Sequence, residues 1–268
     1  MKTAVTISLV PQAKGGPFVF WDGLEAGCAR AATLGFDAVE IFAPDAESVD
    51  RQALAGLLDR YRLKAAAFGT GAGWVIHKWH LCHEQARVRE QAREFIRKII
   101  GLAGAFGAPA IIGSLQGRFE GDVTRTQALH WLGEALDDLA LESGRFGQPL
   151  LFEPLNRYET NLLHRLGETV EFLQTLKTKN VRILADLYHM NIEEVSLAEA
   201  LRAAGQWIGH VHFADSNRQA IGFGHTAIGP VFEALHAIGY DGYLSAEILA
   251  LPDPETAARQ TLRSAKQP

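Results

Sequence analysis

Only two cysteines, Cys28 and Cys82, occur in the 268 residues, and they form no CxxC pair. A disulfide framework is thereby excluded, and the thiol content suits a reducing compartment. No apolar run approaches the roughly 20 residues that a membrane-spanning helix needs. Excess positive charge is missing too: 26 Lys+Arg against 31 Asp+Glu give a formal net charge of −5. That balance argues against a nucleic-acid partner or an anionic membrane surface held by bulk charge. Low-complexity linkers and charge blocks are absent, so residues 1–268 are expected to form a single domain. The opening MKTAVTISLV has one lysine and a short apolar run before Pro11, without a small-residue cleavage pattern. It reads as a first strand, not a leader, and a cytoplasmic protein is expected.

What the chain does have is alternation. Apolar β-rich runs at 4–10, 38–43, 63–69, 109–115, 149–155, 181–187, 208–214 and 242–248 are separated by helical patterns. The clearest helix spans 84–106, where Val88, Ala92, Phe95, Ile99, Leu102, Ala103 and Phe106 recur at three- and four-residue steps. Others are expected over 23–34, 47–60, 124–143, 166–176, 197–204 and 230–238, with Pro230 in the first turn of the last. Eight strand–helix units predict an α/β fold, a (β/α)8 TIM barrel. An open doubly wound sheet fits less well, because VPQAKGGPFVFW follows the first strand where a GxGxxG turn would be needed.

Barrel chemistry collects at the carboxyl ends of the strands. The fifth run ends with Glu153, the sixth with Asp186, the seventh with His212 and the eighth with Glu247. A single such residue is commonly a satisfied polar group. Three carboxylates and an imidazole at equivalent depth would repel and raise one another's pKa unless a cation neutralised them. The set predicts one divalent metal ion, Mn²⁺ first, with Co²⁺, Mg²⁺ or Zn²⁺ as alternatives. Glu159, His189 and Arg218 follow these ligands by six, three and six residues and could serve a polyhydroxylated substrate, with Glu159 holding His189 or a hydroxyl. Arg157 and His164 read as solvated loop charges.

The segments EPLNRYE, ADLYHMNIEE, HVHFADSNR and SAEI resemble the sugar isomerase/epimerase group with the xylose-isomerase-like barrel, which includes D-tagatose and L-ribulose 3-epimerases. GTGAGW, IIGSLQGRFEG and ADSNRQAIGFGH are similar to loops of its 5-keto-L-gluconate epimerase branch; WVIHKWHLCHEQ departs from the pattern. The resemblance implies metal ligands at Glu153, Asp186, His212 and Glu247, catalytic roles for Glu153 and Glu247, and substrate binding by Glu159, His189 and Arg218. It implies a metal-dependent epimerase acting beside the carbonyl of a keto sugar or keto-sugar acid, through an enediolate and two-glutamate proton exchange. An aldose–ketose isomerase of the hydroxypyruvate isomerase kind would use the same site. Arg118 is expected either on the loop surface or on a substrate carboxylate.

Other features point elsewhere. A metal-dependent endonuclease would need more histidines and a basic groove, and a sugar-binding regulator would not need two opposed carboxylates. His77, His80, Cys82 and His83 mimic a zinc motif but lack a second cluster; one of these histidines is expected at the pocket rim. GTGAG lacks a following GK[ST] and is not expected to open a helix. Trp21, Trp74 and Trp79 could be pocket walls or packing. Phe18, Phe20 and Trp21, taken as exposed loop residues, suggest a homo-oligomer, dimer or tetramer.

Overall fold

A computed structural model describes residues 1–266. Eight parallel strands close into a barrel in sequence order: β1 (Lys2–Ser8), β2 (Ala38–Phe42), β3 (Lys64–Gly69), β4 (Ala110–Ile112), β5 (Leu150–Phe152), β6 (Val181–Asp186), β7 (Ile208–His212) and β8 (Tyr243–Ala246). β1 pairs with β8, from Lys2 opposite Tyr243 to Val5 opposite Ala246, so no sheet edge is left open. Parallel strands covered on both faces read as continuous apolar runs, which is why 38–43 and 149–152 carry no alternation.

Among the described residues ten α-helices surround the strands: α1 (Gly23–Leu34), α2 (Arg51–Tyr61), α3 (Ala72–His77), α4 (Ala86–Gly104), α5 (Arg125–Gly144), α6 (Leu166–Thr175), α7 (Leu187–Glu193), α8 (Leu197–Ala204), α9 (Ile228–Ala237) and α10 (Pro254–Ala265). Side-chain caps set several of the helix starts. α2 begins four residues later than its apolar pattern suggests, because the Asp50 carboxylate accepts from the Gln52 and Ala53 N–H groups. Thr124 and Gln127 form a reciprocal capping box on α5. The short α3 corrects the expectation for GTGAG, since a helix starts at Ala72 inside that stretch. α7 and α10 are also additional to the sequence reading; α10 opens with Asp253 as cap and Pro254 in its first turn.

Side chains alternate along β1 and β2. Ala4 and Ala38, register partners, join Ala66 and Tyr243 in a small interior cluster, and Thr6 and Glu40, two residues on, line the cavity above it. Ala67, Ile111, Leu151 and Leu184 form a second small cluster. Together these layers make a packed floor, and the polar residues sit above it at the strand ends.

Candidate active site

Asp186 and His212 end β6 and β7 and are register partners; Glu153 and Glu247 directly follow β5 and β8. Adjacent strands thus deliver all four predicted ligand residues to one point. His212 Nδ1 lies 3.4 Å from Glu153 Oε1, 3.5 Å from Asp186 Oδ2 and 3.4 Å from Glu247 Oε2. One ligand atom from each residue falls within 4.8 Å of the other three. Glu153 Oε1, Asp186 Oδ2 and His212 Nδ1 are buried and have no hydrogen-bond partner. Burial pushes the Glu153 carboxyl up, and repulsion from Glu247 adds to that push against the opposing pull of His212. Burial would raise Asp186 as well, but His189, His212 and Arg218 outweigh it and hold that carboxyl at about 2. Buried acceptors facing one another without a donor favour a cation between them, and this oxygen-rich set with one imidazole fits a hard divalent ion.

A residue absent from the sequence reading controls His212. Glu40, buried on β2, accepts from His212 Nε2 at 3.0 Å and from His210 Nε2 at 2.8 Å. Burial opposes its charge, yet the two imidazoles keep the carboxyl well below the usual range. An ionised carboxylate only accepts, so both Nε2 atoms carry protons, and Nδ1 is the His212 atom that faces the three carboxylates and would be its ligand to a cation among them. The one signal in the sequence is a glutamate inside the apolar run AVEIFA. Glu40→Gln is expected to weaken divalent-metal affinity by about 10–100-fold in chelator competition. Unchanged affinity would show that His212 needs no such partner.

The donors come from a helix and a loop beyond the strand ends. Asp186 also caps α7, its Oδ1 accepting from Tyr188 N–H, and the first turn of that helix carries buried His189. His189 Nε2 points at Asp186 Oδ2 (3.6 Å) and Glu153 Oε1 (3.8 Å). Glu159 does not hold His189: the separation is 3.9 Å, and Asn156 makes the close contact, its Nδ2 lying 2.7 Å from His189 Nδ1. Arg218 donates to Glu247 Oε2 (3.1 Å) and Glu159 Oε1 (3.2 Å) and lies over the Tyr188 ring.

Arg218 adopts left-handed backbone, φ 59°, which the loop must impose. Buried Asp215 does so, one carboxylate oxygen accepting from Ser216 and Thr226 N–H and the other from Gly222 and Gly224 N–H. Burial would raise this carboxyl, but those donors hold it at about 2. Because the folded pKa is depressed below the unfolded value of about 3.9, the stabilisation is complete above that value and is lost as pH falls toward 2. Asp215→Asn is expected to cost about 2 kcal/mol at neutral pH and to flatten the acid limb of the stability profile, measured by urea unfolding. An unaltered acid limb would refute the assignment.

Glu40, Glu153, Glu159, His212, Arg218 and Glu247 line a cavity of about 520 Å³ that also includes Phe18, Phe42, Trp74, Ser114, Arg118 and Tyr158. Gly113 lines it too, where a Cβ would collide with Glu153 Oε2. Trp74 is thus a pocket wall, whereas Trp79 stacks on His77 and Trp21 donates to the Phe18 carbonyl. None of His77, His80 and His83 lines the cavity, contrary to expectation. Burial lowers His80 to about 4, and His83 Nδ1 accepts from Gln85 N–H. Phe18 and Phe20 are buried within the chain itself, Phe18 stacking on Phe42, so the apolar signal taken for a partner surface is internal packing. Arg157 is not merely a solvated charge, for its guanidinium forks onto buried Glu193; His164 Nδ1 meets the Leu155 carbonyl.

A family model described as the xylose isomerase-like TIM barrel matches residues 28–267. Among curated proteins, an L-ribulose 3-epimerase of Methylomonas sp. is 29% identical over 243 residues, covering 87% of this chain and 83% of that one. A 3-dehydro-D-guloside 4-epimerase of Escherichia coli is 36% identical over 132 residues, 49% of this chain and 50% of that protein. Among solved structures, a D-allulose 3-epimerase from Methylomonas sp. superposes with a TM-score of 0.82 at 26% identity, covering 100% of this chain and 98% of that one.

Proposed function

Because the chain belongs to the xylose isomerase-like TIM barrel family, we propose that it is a metal-dependent sugar epimerase that inverts a carbon adjacent to the carbonyl of a keto sugar or keto-sugar acid. The observation that carries this reading is the convergence of two glutamates, Glu153 and Glu247, with Asp186 and His212 in one cluster whose Glu153, Asp186 and His212 ligand atoms are buried and unpartnered. Relatives that are 3- and 4-epimerases of keto sugars support it. The whole chain, 1–268, then acts as one catalytic domain.

Glu153, Asp186, His212 and Glu247 would hold a divalent ion, Mn²⁺ or a similarly hard cation. Bound there, such an ion supplies Lewis acidity that stabilises charge developing on an enediolate. Glu153 and Glu247 come from strands three apart and both line the cavity, which would let them reach opposite faces of a substrate carbon. One removes the proton beside the carbonyl and the other returns a proton to the opposite face, which inverts the centre. His189 and Arg218 donate to the oxygens that gather charge, and burial of these groups keeps water from competing. The test is deuterium incorporation from D₂O into a panel of keto sugars and keto-sugar acids. Exchange at an inverted carbon supports epimerisation, aldose formation would make the enzyme an isomerase, and no exchange with any of them would overturn the reading.

Substrate class rests on Arg118. Its side chain lines the same cavity, and no carboxylate pairs with it among the described residues. Guanidinium geometry suits a carboxylate, so the preferred substrate is a keto-sugar acid of the 5-keto-L-gluconate type. Arg118→Ala is expected to weaken the acid by roughly 1.5–3 kcal/mol while sparing slow turnover of neutral ketoses. Equal losses on both classes, or a wild-type preference for neutral sugars, would return Arg118 to a surface role.

A further inference from the structure

The structure assigns Asn156 as a positioning residue that locks His189 in the Nε2–H tautomer, so that this imidazole meets substrate only as a hydrogen-bond donor. The tautomer follows from the protein's own contacts, while the donation to substrate rests on the epimerase reading above.

Asn156 can be oriented without ambiguity. Its Oδ1 accepts from the Tyr158 N–H at 2.9 Å, so its Nδ2 faces Glu159 Oε1 at 3.2 Å and His189 Nδ1 at 2.7 Å. The flipped amide would set NH₂ against an N–H and oxygen against a carboxylate, two repulsions in place of two bonds. The Asn156 backbone N–H also points at His189 Nδ1, at 3.3 Å. Two donors aimed at one ring nitrogen require that nitrogen to be the acceptor, which leaves the proton on Nε2. Nε2 is buried, lacks a hydrogen-bond partner and faces Asp186 and Glu153 across 3.6 and 3.8 Å, where a substrate oxygen can accept from it. In the opposite tautomer a lone pair would face those carboxylates and Nδ1–H would face two donors.

The same amide extends the arrangement. Glu159, held by Asn156 Nδ2, accepts from Arg218, which donates in turn to Glu247. One asparagine therefore touches both His189 and the chain of contacts from Glu159 through Arg218 to Glu247.

The decisive measurement is a long-range ¹H–¹⁵N spectrum of the Mg²⁺-loaded enzyme labelled with [¹⁵N]histidine, with His189 assigned from a His189→Gln spectrum. Nδ1 should show the shift of an unprotonated nitrogen and Nε2 that of an N–H. Asn156→Asp keeps the side-chain volume but offers an acceptor where a donor stood, so it should reverse the pattern. In the exchange assay its kcat should fall by about tenfold or more with KM changing less. A wild-type His189 protonated on Nδ1 overturns the proposal, as does Asn156→Asp with the wild-type tautomer and wild-type kcat. The spectra decide the tautomer even if no sugar in the panel is turned over, which separates failure of this inference from failure of the functional reading.

Discussion

Replacing Glu247 with Gln is expected to slow epimerisation by about 10²–10⁴-fold while substrate still binds. The amide keeps the shape of the carboxylate and can still offer one oxygen to a cation, but it can neither take nor return a proton. Arg218, which donates to Glu247 Oε2, retains an acceptor in the variant, so the loop should stay in place. Glu153→Gln should be comparably slow, and the pair is more informative than either alone. If the two glutamates serve opposite faces, each variant should still exchange the substrate proton from the face served by the surviving carboxylate. Neither should invert the centre at an appreciable rate. Quenched-flow deuterium exchange separates the half-reactions. Near-normal epimerisation by Glu247→Gln would rule out the two-base scheme, and either Glu153 would then have to reach both faces or another group would have to return the proton on the far one.

Stripping divalent ions with a chelator is expected to abolish turnover and to lower the thermal midpoint, both restored by Mn²⁺, Co²⁺ or Mg²⁺. Glu153 Oε1, Asp186 Oδ2 and His212 Nδ1 are mutually close, buried and unpartnered in the chain alone. An ion that binds this folded cluster and not the unfolded chain stabilises by about 2.7 kcal/mol at a hundredfold excess over its dissociation constant. For a domain of this size that raises the midpoint by roughly 5–10 °C. His212→Ala should remove most of that increment, because it deletes the central atom about which the three carboxylates gather. Full turnover by protein shown by elemental analysis to be metal-free would exclude metal dependence, whatever the fate of the thermal shift.

The barrel was legible because parallel strands buried on both faces must be apolar throughout, and eight such runs separated by helical periods leave few alternatives. Glu153, Asp186, His212 and Glu247 stood out for the same reason: a charge at the end of a core strand is costly unless something there needs it. Local signals were weaker guides. GTGAG concealed a helix start, since glycine's absence there would be felt through Phe42 and Leu115, which crowd Gly69, Gly71 and Gly73 from other parts of the chain. Phe18 and Phe20 read as exposed because a loop sequence does not reveal that the loop packs back against the barrel, which buries both rings.

Strand ends thus determined, from sequence alone, which ligand-type residues share the mouth of the barrel. Only the tertiary structure decided what each imidazole offers there. His212 meets Glu40 across 172 residues of chain and His189 meets Asn156 across 33. A ring's tautomer is fixed by whatever lies on its far side, and barrel closure, not sequence neighbourhood, brings that partner into contact.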